Sequence, residues 1–515
     1  MASATFDERL AERSALHPHD VAVVADGSED MTYAELDRRV GDVAARLIAA
    51  GIGEGERVAV VADNSPAHLV AAFAVWRAGA TLVTIYPSSG SAELAFAIDD
   101  ADPSLVVAGS RVLDSVRRAT RGTAPVVELT ESETVVDVPV SSTARTSAPA
   151  TDSPALICYT SGSTSRPKAV MHTHAGLLAA AEAYAGVWHL DRRDTSLVAL
   201  PLAWAFGLVT TSMATLVGGG RVVLASRADP VELLRHIAND RVTFLPGVTT
   251  FFVRLVGAIE QQLPDQPDVS SLRLCISGGE PRNESVFARW ERLTGRPVHD
   301  VYAASECFPV VTYDPGRDPH PRAGAAGRVV PGADLRVVDA DGGPCPMGIA
   351  GEAWTRGPAM SIGYWHDAEL TRATFTTDGW YRSGDVVHVD ADGYVHVVGR
   401  QSDLIIRGGA NVSPAEVEAV LLQHAAVHEA AVVGLANADH GQDVVAAVVL
   451  APKAELDVEE LRTHCAKALA SYKVPVDVVA VDSLLRNANT GKVQRRDVAA
   501  LLADRNVVTS TGAAS

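Results

Sequence analysis

The pattern of apolar and polar positions near the start of the chain predicts an amphipathic helix. Thr32-Tyr33-Ala34-Glu35 has the form of a capping box, in which a Thr cap and a Glu three residues later satisfy amides at a helix start. Apolar residues then recur at helical spacing from Leu36 to Ile48, and Gly51 ends the pattern. One face of this helix should therefore be buried.

Strands and helices alternate in the residues that follow. Residues 58–61 and 81–85 are short apolar runs typical of strands, and residues 67–78 between them have a helical pattern. Such alternation predicts an α/β fold of layered sheets and helices. Residues 131–154 are rich in Ser, Thr, Ala and Pro, which predicts a surface connection.

A second, smaller unit is predicted near the end of the chain. Ser413-Pro414-Ala415-Glu416 combines a Ser cap, a first-turn Pro and a Glu three residues after the cap, which is typical of a helix start. Apolar runs at residues 430–433 and 444–450 predict strands beside it. At 515 residues the chain is long enough for more than one domain.

Charge and cysteine content narrow the possible partners. The formal net charge of −19 disfavours a nucleic acid or an anionic membrane as partner. The five cysteines have no CxxC pair or short metal-ligand spacing, so we expect reduced, structural thiols. Residues 1–15 are too charged for a signal peptide, and no apolar run reaches membrane-spanning length. A cytoplasmic protein without a membrane span is expected.

The stretch with the most chemical information follows the apolar run at residues 155–158. It reads Tyr159-Thr160-Ser161-Gly162-Ser163-Thr164-Ser165-Arg166-Pro167-Lys168. Hydroxyls, a glycine and backbone amides on a turn that ends in a lysine suit a polyphosphate. The GxxxxGK[ST] pattern of P-loop kinases and GTPases is absent. Taken alone, the stretch could also be a Ser/Thr-rich surface turn.

Five further motifs follow in a fixed order and remove that ambiguity. They are Ser277-Gly278-Gly279-Glu280-Pro281, Tyr302-Ala303-Ala304-Ser305-Glu306, Asp378-Gly379-Trp380-Tyr381-Arg382-Ser383-Gly384-Asp385, Gly399-Arg400-Gln401-Ser402-Asp403 with Gly408-Gly409, and Asn489-Thr490-Gly491-Lys492. With these six motifs, the chain resembles the adenylate-forming acyl-CoA synthetase superfamily over nearly its whole length. The resemblance implies a large N-terminal domain at residues 1–400 and a small, mobile α+β domain at 401–515.

The resemblance also implies a nucleotide site. It assigns ATP or AMP binding to Thr160, Ser161, Gly162, Ser163, Thr164, Gly278, Gly279, Glu280, Tyr302, Ala303, Ser305, Asp385 and Arg400. Asp385 would accept both ribose hydroxyls, and Arg400 would contact ribose or phosphate oxygens. Tyr302 would offer a ring face to adenine, and Ser305 would donate to the α-phosphate.

Three residues are implied to be catalytic: Lys492, Glu306 and Lys168. A positioned Lys492 ammonium would stabilise the negative charge that builds on phosphorus when a carboxylate attacks ATP. Glu306 would hold Mg²⁺, which prefers hard oxygen ligands, and Thr160 would be a second, indirect metal contact.

The implied acyl pocket consists mostly of small or apolar residues. They are Ala203, Trp204, Ala205, Phe206, Gly207, Gly247, Val248 and Ala304, with Ala303 beside them. Residues 201–208 contain no carboxylate to pair with an α-ammonium group, which argues against an amino-acid substrate. The small-molecule substrate should be an apolar, aromatic or alicyclic acid. Trp204 stands where many relatives have His, and either lines the pocket or packs in the core.

The resemblance implies that the C-terminal domain turns about a hinge between two reaction steps. The hinge falls at Ser402, where the family usually has Asp or Lys. Gly408 and Gly409 would then line the path of the coenzyme A thiol. Ser165, Ala169 and Ala303 also stand at positions where the family usually has Gly.

The resemblance therefore predicts an ATP-dependent carboxylic acid:CoA ligase that uses ATP, Mg²⁺ and coenzyme A. The alternative is an enzyme that does not itself form the CoA thioester. Such an enzyme would stop at the adenylate, load a carrier protein, or pass the acyl group to a separate thiolating partner. The short path from Asp392 to Arg400 lacks the insertion common in carrier-loading members. A catalytically dead scaffold would be expected to lose Lys492, Asp385 or Glu306, and a luciferase-type oxidative activity would share the first step.

Overall fold

The computed structural model describes residues 4–130, 150–160, 167–261, 267–437, 439–487 and 491–511. Most of the predicted surface connection, at residues 131–149, lies outside the described residues. The same is true of residues 161–166 in the phosphate-loop motif and 488–490 in the motif before Lys492.

The α-helices are numbered here along the chain. They are α1 (Phe6–Leu16), α2 (Tyr33–Ala49), α3 (Pro66–Arg77), α4 (Ser91–Ala101), α5 (Leu113–Thr120), α6 (His174–Val187), α7 (Ala214–Gly218), α8 (Pro230–Asn239), α9 (Thr249–Gln261), α10 (Glu284–Thr294), α11 (Ala368–Thr374), α12 (Pro414–Leu421), α13 (Val458–Ala468) and α14 (Arg495–Thr511). A π-helix at Phe206–Met213 runs directly into α7.

The strands are numbered in the same way. They are β1 (Val21–Ala25), β2 (Met31–Thr32), β3 (Arg57–Val61), β4 (Thr81–Thr84), β5 (Leu105–Gly109), β6 (Val126–Leu129), β7 (Pro154–Thr160), β8 (Lys168–Thr173), β9 (Thr195–Val198), β10 (Arg221–Leu224), β11 (Phe244–Gly247), β12 (Leu274–Gly278), β13 (Val298–Ala304), β14 (Cys307–Thr312), β15 (Arg328–Val329), β16 (Asp334–Val338), β17 (Gly351–Arg356), β18 (Ala359–Met360), β19 (Gly363–Tyr364), β20 (Tyr381–Val389), β21 (Val395–Arg400), β22 (Ile405–Arg407), β23 (Ala410–Val412), β24 (Val427–Asn437), β25 (Gly441–Leu450) and β26 (Asp477–Ala480).

The predicted helix near the start is α2, and half of its predicted capping box is correct. The Thr32 hydroxyl accepts a hydrogen bond from the Glu35 backbone amide at 3.2 Å. The Glu35 carboxylate does not return to the cap but pairs with the Arg38 guanidinium at 2.8 Å. An ion pair one turn along the helix has replaced the reciprocal bond. The Ser413 cap is also present, since its hydroxyl accepts from the Glu416 amide at the start of α12.

Two large sheets dominate the N-terminal part of the chain. The first has the order β15-β14-β13-β12-β11-β9-β10-β1-β2, and the second has the order β19-β8-β7-β4-β3-β5-β6. Strands β9 to β13 are parallel to one another wherever they pair, and so are β3 to β7. Strands β2, β8, β14, β15 and β19 join the sheets through antiparallel pairs. The predicted α/β class with layered sheets is confirmed.

Three apolar cores hold these layers together. One core contains side chains of both large sheets and of α2, α3 and α6, which therefore lie between the sheets. A second joins the outer face of the first sheet to α8, α9 and α10. A third joins the outer face of the second sheet to α4 and α5. Helices thus cover both faces of each large sheet, as buried parallel strands require.

Two smaller sheets complete the fold. The sheet β16-β17-β20-β21 is antiparallel and ends at Arg400. Beyond it, β23-β22-β25-β24 with β26 forms a sheet with its own core on each face, against α12 and α13 on one side and α14 on the other. This is the small C-terminal α+β domain that the resemblance implies. The domain boundary at residues 400 and 401 stays a prediction.

Every helix in the described part of the chain is too short or too polar to cross a bilayer. All five cysteines are free thiols, and Cys345 is the least buried of them.

Tyr33 ties α2 to the end of α7 through buried carbonyl groups. Its side chain is 1% exposed, and its hydroxyl lies 2.7 Å from the Gly220 carbonyl oxygen and 3.1 Å from that of Leu216. Burial raises the pKa of Tyr33, so the hydroxyl stays protonated and donates. This bond fixes α2 against the first sheet.

We expect Tyr33→Phe to destabilise the protein by about 1–3 kcal/mol, because the buried Gly220 carbonyl oxygen would lose the hydroxyl donor and the Leu216 carbonyl oxygen would be left with the Gly219 amide. Urea unfolding followed by tryptophan fluorescence measures this loss. Tyr472→Phe is the matched control, since Tyr472 is 41% exposed. Equal unfolding midpoints for the two variants would contradict a structural role for the Tyr33 hydroxyl.

Candidate active site

The candidate site lies where three neighbouring parallel strands end. Strand β11 leads into Val248, β12 into Gly279, and β13 carries Tyr302 and Ala303 at its end. Because parallel strands point the same way, their carboxyl ends meet at one edge of the sheet. Three segments that are tens of residues apart in the sequence are therefore neighbours in the fold.

Asp385, Tyr302 and Arg400 form one hydrogen-bonded group beside this edge. The Tyr302 hydroxyl donates to Asp385 Oδ2 at 2.9 Å, and Arg400 Nε donates to Asp385 Oδ1 at 3.0 Å. Asp385 and Arg400 are register partners on β20 and β21. Burial, followed by the charge of Asp385, raises the pKa of Tyr302, which keeps its hydroxyl protonated. Both Asp385 oxygens are thus held in place.

Glu306 lies in the turn after β13 and is 7% exposed. The Tyr364 hydroxyl donates to Glu306 Oε1 at 2.7 Å, and burial followed by the Glu306 charge raises the pKa of Tyr364. Lys168 Nζ lies 5.6 Å from the centroid of the Tyr364 ring. The structure therefore brings Glu306 and Lys168 to the same aromatic side chain. Tyr364 belongs to none of the six motifs.

His172 fixes the peptide that carries Ser305. Its Nε2 lies 2.7 Å from the Ser305 carbonyl oxygen, and burial lowers the pKa of His172 to about 4. The ring is therefore neutral, and since a carbonyl oxygen only accepts, Nε2 carries the proton. On the other side, the Ser361 amide donates to the Glu306 carbonyl oxygen at 2.8 Å.

The phosphate-loop motif lies between β7 and β8, which pair as an antiparallel hairpin. Thr160 and Lys168 are register partners at its end. The predicted nucleotide contacts Ser161, Gly162, Ser163 and Thr164 lie outside the described residues.

Two of the predicted acyl-pocket residues, Trp204 and Phe206, are in contact, and the remainder of the pocket stays a prediction. The Trp204 ring lies edge-on to Phe206, with ring centroids 5.5 Å apart. Gly279 has φ +78°, and a Cβ there would lie 3.2 Å from the Trp204 ring, so only glycine fits without strain. Trp204 is partly exposed while Phe206 is buried. Trp204 therefore packs against the buried core while part of it stays accessible to solvent.

Phe206 and Gly207 open the π-helix, all of whose residues are buried. The Thr211 hydroxyl donates to the Phe206 carbonyl and the Ser212 hydroxyl to the Gly207 carbonyl, each at 2.8 Å and five residues back. A Cβ on Gly207 would lie 2.4 Å from the Pro201 carbonyl oxygen, which explains the glycine. π-Helices are frequent at functional sites.

Asn64, which the sequence did not single out, holds the loop that carries Trp204. Its side-chain amide nitrogen lies 3.0 Å from the Leu200 carbonyl oxygen, and its Oδ1 accepts from the Leu202 amide at 2.8 Å. These partners are more than 130 residues away along the chain, so no local pattern could reveal them.

Lys492 reaches the cleft at the strand ends from the C-terminal domain. Its Nζ lies 5.8 Å from the centroid of the Trp204 ring, and its Cε lies 3.7 Å from where a Gly279 Cβ would be. The residue keeps contact with solvent, yet burial lowers the pKa of its ammonium group, against the opposing effect of Glu280. Lys492 thus faces the strand ends that carry the other candidate residues.

The predicted hinge and thiol-path residues follow β21 and lie at the start of the C-terminal domain. Ser402 is in a 3-10 turn, where its hydroxyl donates to Asp403 Oδ1 at 3.0 Å. Gly408 and Gly409 form the turn between β22 and β23 with positive φ. Among the described residues, no atom lies within 4 Å of a Cβ placed on either glycine. The two glycines are not brought to the cleft in this arrangement.

Family models match both parts of the chain. The model for AMP-binding enzymes matches residues 10–365, and that for the AMP-binding enzyme C-terminal domain matches residues 416–492. A feruloyl-CoA synthase from Amycolatopsis sp. is 35% identical over 94% of this chain and 96% of its own length. A medium-chain fatty-acid–CoA ligase from Escherichia coli is 32% identical over 93% of this chain and 87% of its own.

A solved structure supports the same relationship. ATP-bound MatB from Rhodopseudomonas palustris superposes with a TM-score of 0.88 and 31% identity, over 97% of this chain and 99% of that one. The predicted family, fold class and enzyme class, a CoA ligase, are confirmed by these matches. The chain belongs to the AMP-binding enzyme family.

Proposed function

We propose that the protein joins a carboxylic acid to coenzyme A in two steps, through an acyl-adenylate. The observation that carries this proposal is the approach of Lys492 to the strand ends at Trp204 and Gly279, beside the Asp385 group. A cation at this position suits a reaction in which two anions must meet. The resemblance and the CoA ligase relatives supply the same chemistry.

In the first step a carboxylate oxygen attacks the α-phosphorus of ATP, and pyrophosphate leaves as the P–O bond to it breaks. The Lys492 ammonium stabilises the negative charge that develops on the phosphoryl oxygens. Asp385 accepts from the ribose hydroxyls, and the Arg400 and Tyr302 hydrogen bonds keep its oxygens aimed. The protein therefore contributes position and charge.

Mg²⁺ fits this site through Glu306. Within the described residues, no three His, Cys, Asp or Glu side chains cluster as a metal site, so one carboxylate would share the ion with phosphate oxygens. When bound, the ion neutralises phosphate charge. The Tyr364 hydroxyl occupies one side of Glu306 Oε1 and orients the carboxylate. Thr160, at the end of β7, stays a proposed indirect contact.

The acid is apolar, with an aromatic or alicyclic group as the preferred form. Trp204 and Phe206 offer ring surface, and the nearby residues Val248, Ala303 and Ala304 are small or apolar. A charged group in this wall would lose its hydration without a partner. The feruloyl-CoA synthase relative, named for an aromatic acid, supports this class.

In the second step the thiol of coenzyme A attacks the acyl carbon, the bond to AMP breaks, and the thiol loses its proton. Turning of the C-terminal domain about Ser402 would exchange Lys492 for Gly408 and Gly409 at the cleft. No described atom lies within 4 Å of a Cβ placed on either glycine, which leaves room on that side of the turn for a pantetheine arm. The relatives do not favour the alternative that the enzyme stops at the adenylate or loads a carrier protein. Supply of ATP and coenzyme A favours a cytoplasmic location.

The direct test measures pyrophosphate release from MgATP across fatty, aryl and bulky alicyclic acids, with product mass detection and with or without coenzyme A. We expect an acyl-CoA product with aryl or alicyclic acids. Lys492→Ala should lower pyrophosphate release about 10²- to 10³-fold and spare thioester formation from synthetic acyl-adenylate. A retained adenylate in excess coenzyme A would contradict the ligase assignment, and equal loss of both steps would contradict the assigned role of Lys492.

Tyr302→Phe should raise the KM for ATP by about threefold to tenfold, because Asp385 would lose one donor while the ring face remains. Initial rates over an ATP series measure this. Tyr394→Phe is the matched control, since its hydroxyl donates to the Asp318 carboxylate at 2.7 Å, a bond of the same kind outside the candidate site. An unchanged KM for ATP in Tyr302→Phe would remove this hydrogen bond from nucleotide binding.

Glu306→Gln should raise the Mg²⁺ concentration needed for half-maximal rate, because the neutral amide is a weaker ligand for a hard cation. A Mg²⁺ titration at fixed total ATP measures the shift. Glu284→Gln, whose parent carboxylate pairs with Arg282 at 2.8 Å, controls for loss of one negative charge. A titration curve that matches the wild type would exclude Glu306 as a metal ligand.

A further inference from the structure

Arg486 belongs to the segment that carries Lys492. Its Nη1 donates to the Gly491 carbonyl oxygen at 2.9 Å, next to Lys492 in the chain, and its Nη2 pairs with Glu429 of β24 at 3.0 Å. The Asn487 amide donates to the Lys492 carbonyl oxygen at 2.8 Å. The guanidinium therefore connects the Lys492 segment to the C-terminal sheet.

The same guanidinium faces a carboxylate across the domain junction. Arg486 Nη1 lies 3.8 Å from Oε1 of Glu280, whose side chain is 8% exposed. Glu280 Oε2 accepts from the Thr250 amide in α9 at 3.0 Å, which fixes the carboxylate on the N-terminal side. Burial raises the pKa of Glu280, and the positive charges of Arg486 and Lys492 oppose that rise.

Glu280 was expected to bind the nucleotide. Its described partners are Thr250, Arg486 and the electrostatic field of Lys492. The nucleotide role of Glu280 stays a prediction. Two of these three partners lie beyond Ser402 in the chain. They can face Glu280 only while the C-terminal domain presents Lys492 to the cleft.

We propose that Glu280 and Arg486 form an ion-pair latch that holds the Lys492 segment in the adenylate-forming arrangement. The inference rests on the proposed two-step function. It adds a positioning role for Glu280 and Arg486, which the two-step function does not itself require. A mostly buried carboxylate that loses its cations is costly, so the latch favours the arrangement in which both cations are present. When the latch opens, Arg486 still pairs with Glu429, so the loss of favourable interactions affects mainly Glu280.

Two substitutions separate the latch from nucleotide binding. Glu280→Gln keeps an oxygen that can accept from Thr250 and removes only the charge, and Arg486→Gln removes the facing cation. Rapid-quench pyrophosphate release measures the first step, and AMP release from synthetic acyl-adenylate with coenzyme A measures the second. Controls are Glu284→Gln and Arg462→Gln, whose parent side chains pair within one domain, with Arg282 and Glu459.

Each latch variant should slow the first step about fivefold to twentyfold and leave the second step unchanged or faster. The double variant should lose no more than either single variant, because partners in one ion pair are not additive. The KM for ATP should stay within about twofold of the wild type. A raised KM for ATP in Glu280→Gln alone, additive losses, or equal slowing of both steps would overturn the latch.

Hydrogen exchange tests the latch without activity. Residues 249–261 and 484–494 should exchange faster in Glu280→Gln and Arg486→Gln than in the wild type, and the two controls should not differ. Unchanged exchange in both latch variants would overturn the latch. Absence of pyrophosphate release by the wild type would overturn the proposed function, and the exchange result would still decide the latch.

Discussion

The parallel alignment of β11, β12 and β13 is the constraint on which the site depends. Their register places the residues after Gly247 and Gly278 beside Tyr302. Helices cover both faces of these strands, so a ligand can approach their backbone at the carboxyl ends rather than from either face. Such an edge needs small residues for close approach and a few fixed polar groups. The chain supplies small residues and Tyr302 at the strand ends, Glu306 in the turn after β13, and Asp385 and Arg400 from the sheet that contains β20 and β21.

Each carboxylate around the cleft is held in position by at least one hydrogen-bond donor. Asp385 has Arg400 and Tyr302, Glu306 has Tyr364, and Glu280 has the Thr250 amide. Each carboxylate is held by a hydrogen bond from a neutral or cationic donor, so its direction is set before a ligand arrives. A group oriented in advance loses less entropy on binding than one that must be ordered. The site is therefore prepared mainly by side chains that do not themselves react.

Short-range sequence patterns predicted the elements, and ordered motifs predicted the family. The cap at Thr32 and that at Ser413 carry their signal within four residues, and both are present. Roles that depend on distant partners carried no such signal. Asn64, His172 and Tyr364 bond to residues between 58 and 161 positions away. Glu280 is a further example, because nothing in its motif indicated that its side chain faces Arg486 of the C-terminal domain.

The segment that carries the predicted pocket residues Phe206 and Gly207 is a π-helix, Phe206–Met213, rather than an α-helix. A π-helix holds more residues per turn than an α-helix, and here two side-chain hydroxyls also donate to carbonyl groups five residues back. Removing one residue from this segment would favour α-helical spacing and change the direction of the preceding aromatic side chains relative to α7. The outline of the predicted pocket wall is thus set by chain length as well as by side-chain size. In such a wall, the preference for one acid over another can change through insertion or deletion of a residue as well as through substitution.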